Sequence, residues 1–204
     1  MAPVLVLVDH VDGEVRGTTH ELLTLAGRAG EPVAVFLGSG VDRAQQSLAE
    51  HGASSIVVVE APEFGQYLVA PQAEALAAVV DELAPAGVLL PSSPEGKEIA
   101  GRLAVRIGAG VIVDAVDVGA DLSTTQSVFA GGFTVTAQVT TGAPIITVKA
   151  NAVTAEQSPA AGELRRVEVS ISEAATTTRV VDSTPRASTG RPELGEASIV
   201  VAGG

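Results

Sequence analysis

Pro32-Val33-Ala34-Val35-Phe36-Leu37 is a short apolar run that stops at Gly38-Ser39-Gly40. Val41, Ala44 and Leu48 follow at the spacing of one helix face, and Gly52 closes that helix. Ser55-Ile56-Val57-Val58-Val59 is a second apolar run of strand length. Two strands joined by a single helix pair in parallel through a right-handed crossover. Strands that read as continuous apolar runs are covered on both faces. Residues 32–59 therefore decide for an α/β fold with a parallel sheet flanked by helices.

Working outward, the same alternation holds on both sides. Val4 to Val8 is a strand, and Thr18 with Glu21 three residues later reads as a capping box. The helix it opens buries Leu22, Leu23, Ala26 and Ala29 and stops at Gly30. On the other side Pro71 starts a helix with the stripe Ala73, Leu76, Ala77, Val80 and Leu83. Gly87 to Leu90 is a fourth strand, and Ser92-Ser93-Pro94-Glu95 caps a helix carrying Ile99, Leu103 and Ile107.

The pattern changes near Gly108. Residues 1–109 alternate β and α, whereas residues 110–181 offer strand-like pieces and no helix: Val111 to Val113, Ser127 to Phe129, Phe133 to Val139 and Ile145 to Val148. Val167, Val169 and Ile171 alternate with Glu168 and Ser170, as in a strand wetted on one face. Gly131-Gly132 reads as the turn between two strands. This half is expected to extend the sheet and to add a small antiparallel one. Residues 182–196, rich in Pro, Gly, Ser and Thr, read as a linker. Ala197 to Val201 reads as one further strand running into Gly203-Gly204, where a phosphate-cradling turn and a helix would ordinarily follow. The expectation is a piece of a longer protein.

Composition removes several classes of function. A net charge of −12 is the wrong sign for a phosphate backbone, and aromatic residues at 2% leave little for bases to stack on. Without cysteine the chain has no disulfide, thiolate metal site, iron–sulfur ligand or thiol nucleophile, which fits a reducing cytoplasm. The first residues carry no basic leader, and their apolar run is too short for a signal or membrane helix. The chain is read as soluble and unprocessed.

Candidate sites are few. Gly38-Ser39-Gly40 sits between a strand and a helix, where an α/β sheet can bind an anion, but Arg43 stands where a dinucleotide fingerprint has its third glycine. A plain β–α turn explains it better. Gly108-Ala109-Gly110 follows a helix and carries less still. Asp9, His10, Asp12 and Glu14 could hold a metal, yet an Asp12-Gly13 turn with exposed flanks accounts for them. His20 and His51 have no obvious partners and read as surface helix residues. Ser92 and Ser93 read as helix caps. Lys97, Arg102 and Arg106 form a basic strip that could meet an acidic partner, although such a strip is more often a solvated face. No Gly-x-Ser-x-Gly elbow, His-Glu-x-x-His pair or Walker loop occurs. The residues present make no catalytic, cofactor-binding or metal constellation.

Several stretches resemble, in order, the alpha subunit of electron transfer flavoproteins (FixB-type proteins). They are Val4 to His10 with Asp12-Gly13 and Thr18 to Leu23; Leu90 to Glu98 with Arg102-Leu103-Ala104; Asp114; Val128 to Gly132; Pro144 to Lys149; and Arg191 to Ala197 running into Ile199 to Gly204. The chain departs from the family at Phe129, Gly132 and Lys149, where Tyr, Asn and Arg are frequent. The resemblance implies a sheet-and-helix domain related to adenine-nucleotide-binding (alpha-hydrolase-like) proteins, standing N-terminal to a flavin domain whose first strand is 197–204. It implies a heterodimeric, non-enzymatic carrier that takes electrons from acyl-CoA dehydrogenases and related flavoenzymes to a membrane quinone oxidoreductase. FAD is held in the C-terminal half of alpha with help from the beta subunit, and AMP in beta. None of the family's principal flavin positions falls in this chain, so FAD is not expected on it. The alternative is a free-standing adenine-nucleotide-binding module using Gly38 to Gly40.

Overall fold

The structure, a computed structural model, describes residues 1–184, 190, 192, 194 and 197–203. Its first half follows the alternation read from the sequence. Strand β1 (Pro3–Leu7) leads through a hairpin of β2 (His10–Val11) and β3 (Glu14–Val15) into helix α1 (Gly17–Ala29). Then come β4 (Glu31–Leu37), α2 (Val41–Glu50), β5 (Ser55–Val59), a 3-10 turn at Pro62–Gly65, α3 (Ala70–Leu83), β6 (Gly87–Pro91) and α4 (Pro94–Ile107). The second half supplies β7 (Val111–Val118), β8 (Thr124–Val128), β9 (Phe133–Ala137), β10 (Ile145–Val148), β11 (Glu163–Arg166) and a 3-10 turn at Glu173–Thr176.

Among the described residues one nine-stranded sheet runs in the order β11-β5-β4-β1-β6-β10-β7-β8-β9. Neighbours from β11 to β7 are parallel, and β8 and β9 are added antiparallel. The expected small antiparallel sheet is thus an extension of the main one, because β7 itself hydrogen-bonds to β8. Gly131-Gly132 does turn the chain between β8 and β9, with the Gly132 N–H donating to Phe129 O at 3.1 Å. The direction of strand addition reverses at β1: β4 and β5 lie on one side, β6 on the other.

Two cores sandwich the sheet. On one face Leu22, Leu23, Leu25 and Ala26 of α1 and Val41, Ala44 and Leu48 of α2 meet Val4, Val6, Ala34, Phe36, Ile56 and Val58. On the other, Ala73, Leu76 and Val80 of α3 and Ile99, Leu103 of α4 meet Leu5, Leu7, Val35, Val57, Val88 and Leu90. Alternate residues of one strand serve opposite cores, as the pleat requires. Each fully buried Leu, Ile or Phe contributes about 2–3 kcal/mol of transfer free energy.

Two local expectations are corrected. Thr18 is no helix cap: α1 begins at Gly17 with Arg16 at its N-cap and no side-chain cap bond. Thr18 turns to Asp9 Oδ2 (3.5 Å), and Glu21 turns inward to accept the Asn151 N–H at 3.1 Å. Tertiary partners outcompete the local box. Secondly, Val167, Val169 and Ile171 lie beyond the last strand. The ladder ends at Arg166, and these three side chains pack along the α3 face core, so their alternation records extended chain with one buried side. Ala197–Val201, expected as the first strand of a further domain, pairs with no strand among the described residues. The expected linker, 182–196, lies largely outside the described residues.

Candidate functional site

Open α/β sheets bind ligands beyond the carboxyl ends of their strands where the order reverses. That place is here a cleft of about 350 Å³ at the ends of β1, β4 and β6, lined among others by Asp9, His10, Asp12, Leu37, Gly38, Ser39, Ser93, Glu95 and Gly96.

The Gly38-Ser39-Gly40 turn forms one wall, and the β2–β3 hairpin closes over it. Asp12 and Gly13 have φ of 51° and 87°, the two positive values of a type I′ turn, which explains why this turn reads Asp-Gly. A Cβ on Gly13 would stand 2.2 Å from Gly40 O, and one on Gly40 would stand 3.0 Å from Asp12 O. Arg43 Nη1 donates to Asp12 O at 3.2 Å. The glycines let two backbones approach each other.

His10 is committed in the same way. Its Nε2–H donates to Leu37 O at 3.0 Å, its Nδ1 accepts the Gly13 N–H at 3.3 Å, and its ring stacks on Phe36 at 4.0 Å. A carbonyl can only accept, so the tautomer carries its proton on Nε2. Arg16 pairs with Asp9 at 3.5 Å. Among the described residues no three His, Cys, Asp or Glu side chains gather as metal ligands.

At the other wall, the Ser93 hydroxyl caps α4 by accepting the Gly96 N–H at 3.0 Å, with Glu95 in the first turn. Cap and carboxylate occupy the helix end that an anion would use. Ser92, read as a second cap, is not one. It donates to Asp114 Oδ1 at 2.5 Å and lies 2.9 Å from the Thr147 hydroxyl, which also accepts the Asp114 N–H at 3.1 Å. Lys97 pairs with the same carboxylate at 2.7 Å. Lys97 and then Ser92 hold the Asp114 carboxyl below the usual carboxylate range. Such a group is a poor base for the Ser92 proton, and no imidazole is in this network. It ties β6, β7, β10 and α4 together at the rim of the sheet. Asp114 itself has φ of 61° at a register shift between β7 and β10. Residues 92, 114 and 147 are too far apart in sequence to have announced this cluster.

The basic strip is internally neutralised: Lys97 by Asp114, Arg102 by Glu98 at 2.8 Å, Arg106 by Glu74 at 3.2 Å. Gly108 ends α4 in the left-handed region, donating to Ala104 O, which accounts for the Gly108-Ala109-Gly110 pattern. His20 and His51, expected without partners, stack at 3.8 Å. His20 Nε2 lies 2.8 Å from Ser47 Oγ, and His51 Nδ1 donates to Ser47 O at 2.8 Å. Burial, and then the neighbouring His51, lower the His20 pKa to about 4.

The cleft offers a phosphate few partners among its lining residues. Asp9, Asp12 and Glu95 line it, no Lys or Arg does, and its glycine turn is filled by backbone. No nucleophile with its base is aimed into it either. Fold and site together define an α/β domain whose polar groups hold its own elements in place.

A family model described as "Electron transfer flavoprotein domain" matches residues 4–175. The chain is 43% identical over 206 residues to the electron transfer flavoprotein subunit alpha of Mycobacterium leprae, covering 100% of this chain and 64% of the relative. It is 46% identical over 171 residues to the subunit of the same name from Mycobacterium tuberculosis, covering 83% of this chain and 54% of that one. A 28% match over 116 residues, 54% of this chain and 28% of the relative, reaches subunit LctC of the lactate dehydrogenase (NAD(+),ferredoxin) of Acetobacterium woodii. The chain belongs to the electron transfer flavoprotein family and corresponds to the N-terminal part of its alpha subunits. It spans less than two thirds of the length of these relatives. Among the described residues no helix is long and apolar enough to cross a membrane.

Proposed function

We propose that this chain is the scaffold portion of an electron transfer flavoprotein alpha subunit, an electron carrier with no substrate turnover of its own. The carrier takes electrons from acyl-CoA dehydrogenases and related flavoenzymes and delivers them to a membrane quinone oxidoreductase, working in the cytoplasm as a heterodimer with a beta subunit. FAD supplies the redox chemistry and is held outside residues 1–181; AMP sits in beta. Residues 197–204 become the first strand of the flavin-binding part when the rest of that sheet is present.

One observation carries this: the family match spans 4–175, yet the switch-point cleft in that span presents three carboxylates and no cation. A pyrophosphate there would meet Asp9, already paired with Arg16, together with Asp12 and Glu95, and no lining Lys or Arg. What the domain's residues do is position. The Ser92–Asp114–Thr147–Lys97 network and the hairpin over Gly40 stiffen the carboxyl edge of the sheet, the kind of rigid base on which a cofactor domain can be held. The rival, a free-standing adenine-nucleotide module, requires that same cleft to accept a phosphate.

Titration of the purified chain with AMP, ATP and FAD, followed by calorimetry and flavin fluorescence, tests the assignment. The expected result is no saturable binding up to about 1 mM. Micromolar AMP binding abolished by Gly40→Ala would replace the scaffold assignment with the nucleotide module.

A further inference from the structure

Beyond β11 the chain turns back over the domain as a strap. Val167 donates its N–H to Val58 O at 2.9 Å, and Val167, Val169 and Ile171 then lay their side chains on the core beside α3. At Ser172 both the backbone N–H and the hydroxyl donate to Glu74 Oε2 of α3, each at 3.0 Å. The other oxygen of that carboxylate pairs with Arg106 of α4, so one side chain joins the strap to two helices. The 3-10 turn at Glu173–Thr176 packs on α3 and carries Ala175 down to 4% exposure.

The strap ends on the loop between β5 and α3. The Leu68 N–H donates to Thr178 O at 3.1 Å, the Val180 N–H donates to Gln66 O at 2.8 Å, and Tyr67 and Arg179 face each other as one antiparallel bridge. Val181, the next residue, is 95% exposed. The loop has little local support at its far end. Val69, the N-cap of α3, supplies no side-chain acceptor, so the sequence around it does not pin where the helix starts. Within the loop the Gln66 and Tyr67 N–H groups donate to Glu63 O at 3.1 and 3.0 Å, closing the 3-10 turn Pro62–Gly65. Phe64 and Gly65 of this turn line the switch-point cleft. The end of the strap and one wall of the cleft thus meet in the same loop.

We propose that residues 167–180 are a latch that holds the 61–68 loop against the cleft, so that strap and loop open together and the chain leaving at Val181 sets how far the cleft is closed. The sheet has its ladders, whereas the strap rests on a few side chains, one carboxylate and two main-chain bonds to a loop. Segments held in that way open at lower free energy than the sheet they cover. A pull on the chain after Val181 acts first on the bond from Val180 to Gln66, then on Ala175 and Ser172, and only afterwards on a strand. The loop then loses both main-chain bonds at its α3 end together, and Phe64 and Gly65 move with it.

Amide exchange of the whole chain, resolved by residue with NMR, tests the latch. In the wild type, Gln66, Tyr67, Leu68 and Val180 are expected to share one opening free energy that lies below that of the β4 amides. Ser172→Pro removes both donors to Glu74 at a φ of −77° that proline accepts, and Ala175→Asp sets a carboxylate in place of a buried methyl. Neither residue lines the cleft. Each variant is expected to speed exchange at all four amides roughly tenfold or more, as loss of hydrogen bonds to a charged group does, and to leave β4 unchanged. The chain has no cysteine, so Ile99→Cys places a single thiol on the cleft wall, where Ile99 is 4% exposed. Its alkylation should quicken by a similar factor when Ser172→Pro is added. Exchange that rises at Leu68 and Val180 while Gln66, Tyr67 and the thiol keep their rates makes the strap a passive cover and overturns the latch. A rise shared equally by β4 overturns it too, since strap and sheet then unfold as one.

Discussion

Replacing Gly13 by Ala tests whether the Gly38–Gly40 turn is a packing device. The new Cβ would sit 2.2 Å from Gly40 O, a backbone atom that cannot swing aside as a side-chain end does. Gly13 also has φ of 87°, where an L-residue costs about 1–2 kcal/mol. Separating hairpin from turn adds about 1–3 kcal/mol of strain, as overpacking does elsewhere. The two contributions add to roughly 3 kcal/mol, a fall in Tm of about 6–12 °C for a domain of this size. Gly101→Ala is the matched control, because it lies in α4 with open space around its would-be Cβ. Helix propensity predicts a gain of about 0.5–1 kcal/mol there. Urea unfolding of the three proteins, read by circular dichroism at one pH, gives both differences. A Gly13→Ala protein within about 0.5 kcal/mol of wild type would refute the reasoning, since an open phosphate cradle has no hairpin to displace.

Three other perturbations have signs fixed by the geometry. His20 has its folded pKa lowered from 6.5 to about 4, so the unfolded chain binds the proton more tightly between those values. Its contribution is complete above about pH 6.5 and is lost as pH falls toward 4; because His20 is only half-buried, screening limits the loss to about 1–2 kcal/mol. Urea midpoints at pH 7.5 and 4.5 should therefore diverge less in His20→Gln than in wild type. Ala84 ends α3 at φ of 44°, so Ala84→Gly should stabilise by about 0.5–1 kcal/mol, read from the same urea curves. Asp114→Ala, which strips Ser92 and Lys97 of their acceptor and leaves a left-handed φ, should cost about 2–3 kcal/mol. Asp114→Asn, which tolerates that φ, should cost visibly less in thermal unfolding.

What the sequence disclosed follows from how local each determinant is. Ser55–Val59 and Ile145–Val148 were legible to the residue because a strand covered on both faces reads as a near-continuous apolar run, here interrupted by Ser55 and Thr147 alone. The Ser93 cap and the α2 stripe were legible for the same local reason. β11 was invisible: Glu-Leu-Arg-Arg carries no strand signal, and only its ladder to β5 makes it one. β7 read short because Asp114 and Asp117 interrupt its apolar run at the register shift, while β10 could not be placed between β6 and β7 from its composition. At the site, the glycine turn was located correctly, but its cover was not foreseeable, since the hairpin arrives from residues 10–15. The pairing of His20 with His51 likewise depends on α1 meeting α2.

The proposed role of this domain is to serve a heterodimeric electron carrier without holding flavin itself. Native mass spectrometry of the chain mixed with the beta subunit of the same organism, in the presence of FAD and AMP, addresses it in one spectrum. The expected spectrum holds a one-to-one complex that carries AMP and no FAD, beside free chain that carries neither. FAD retained by the free chain, or two subunits that never share a peak, would contradict it.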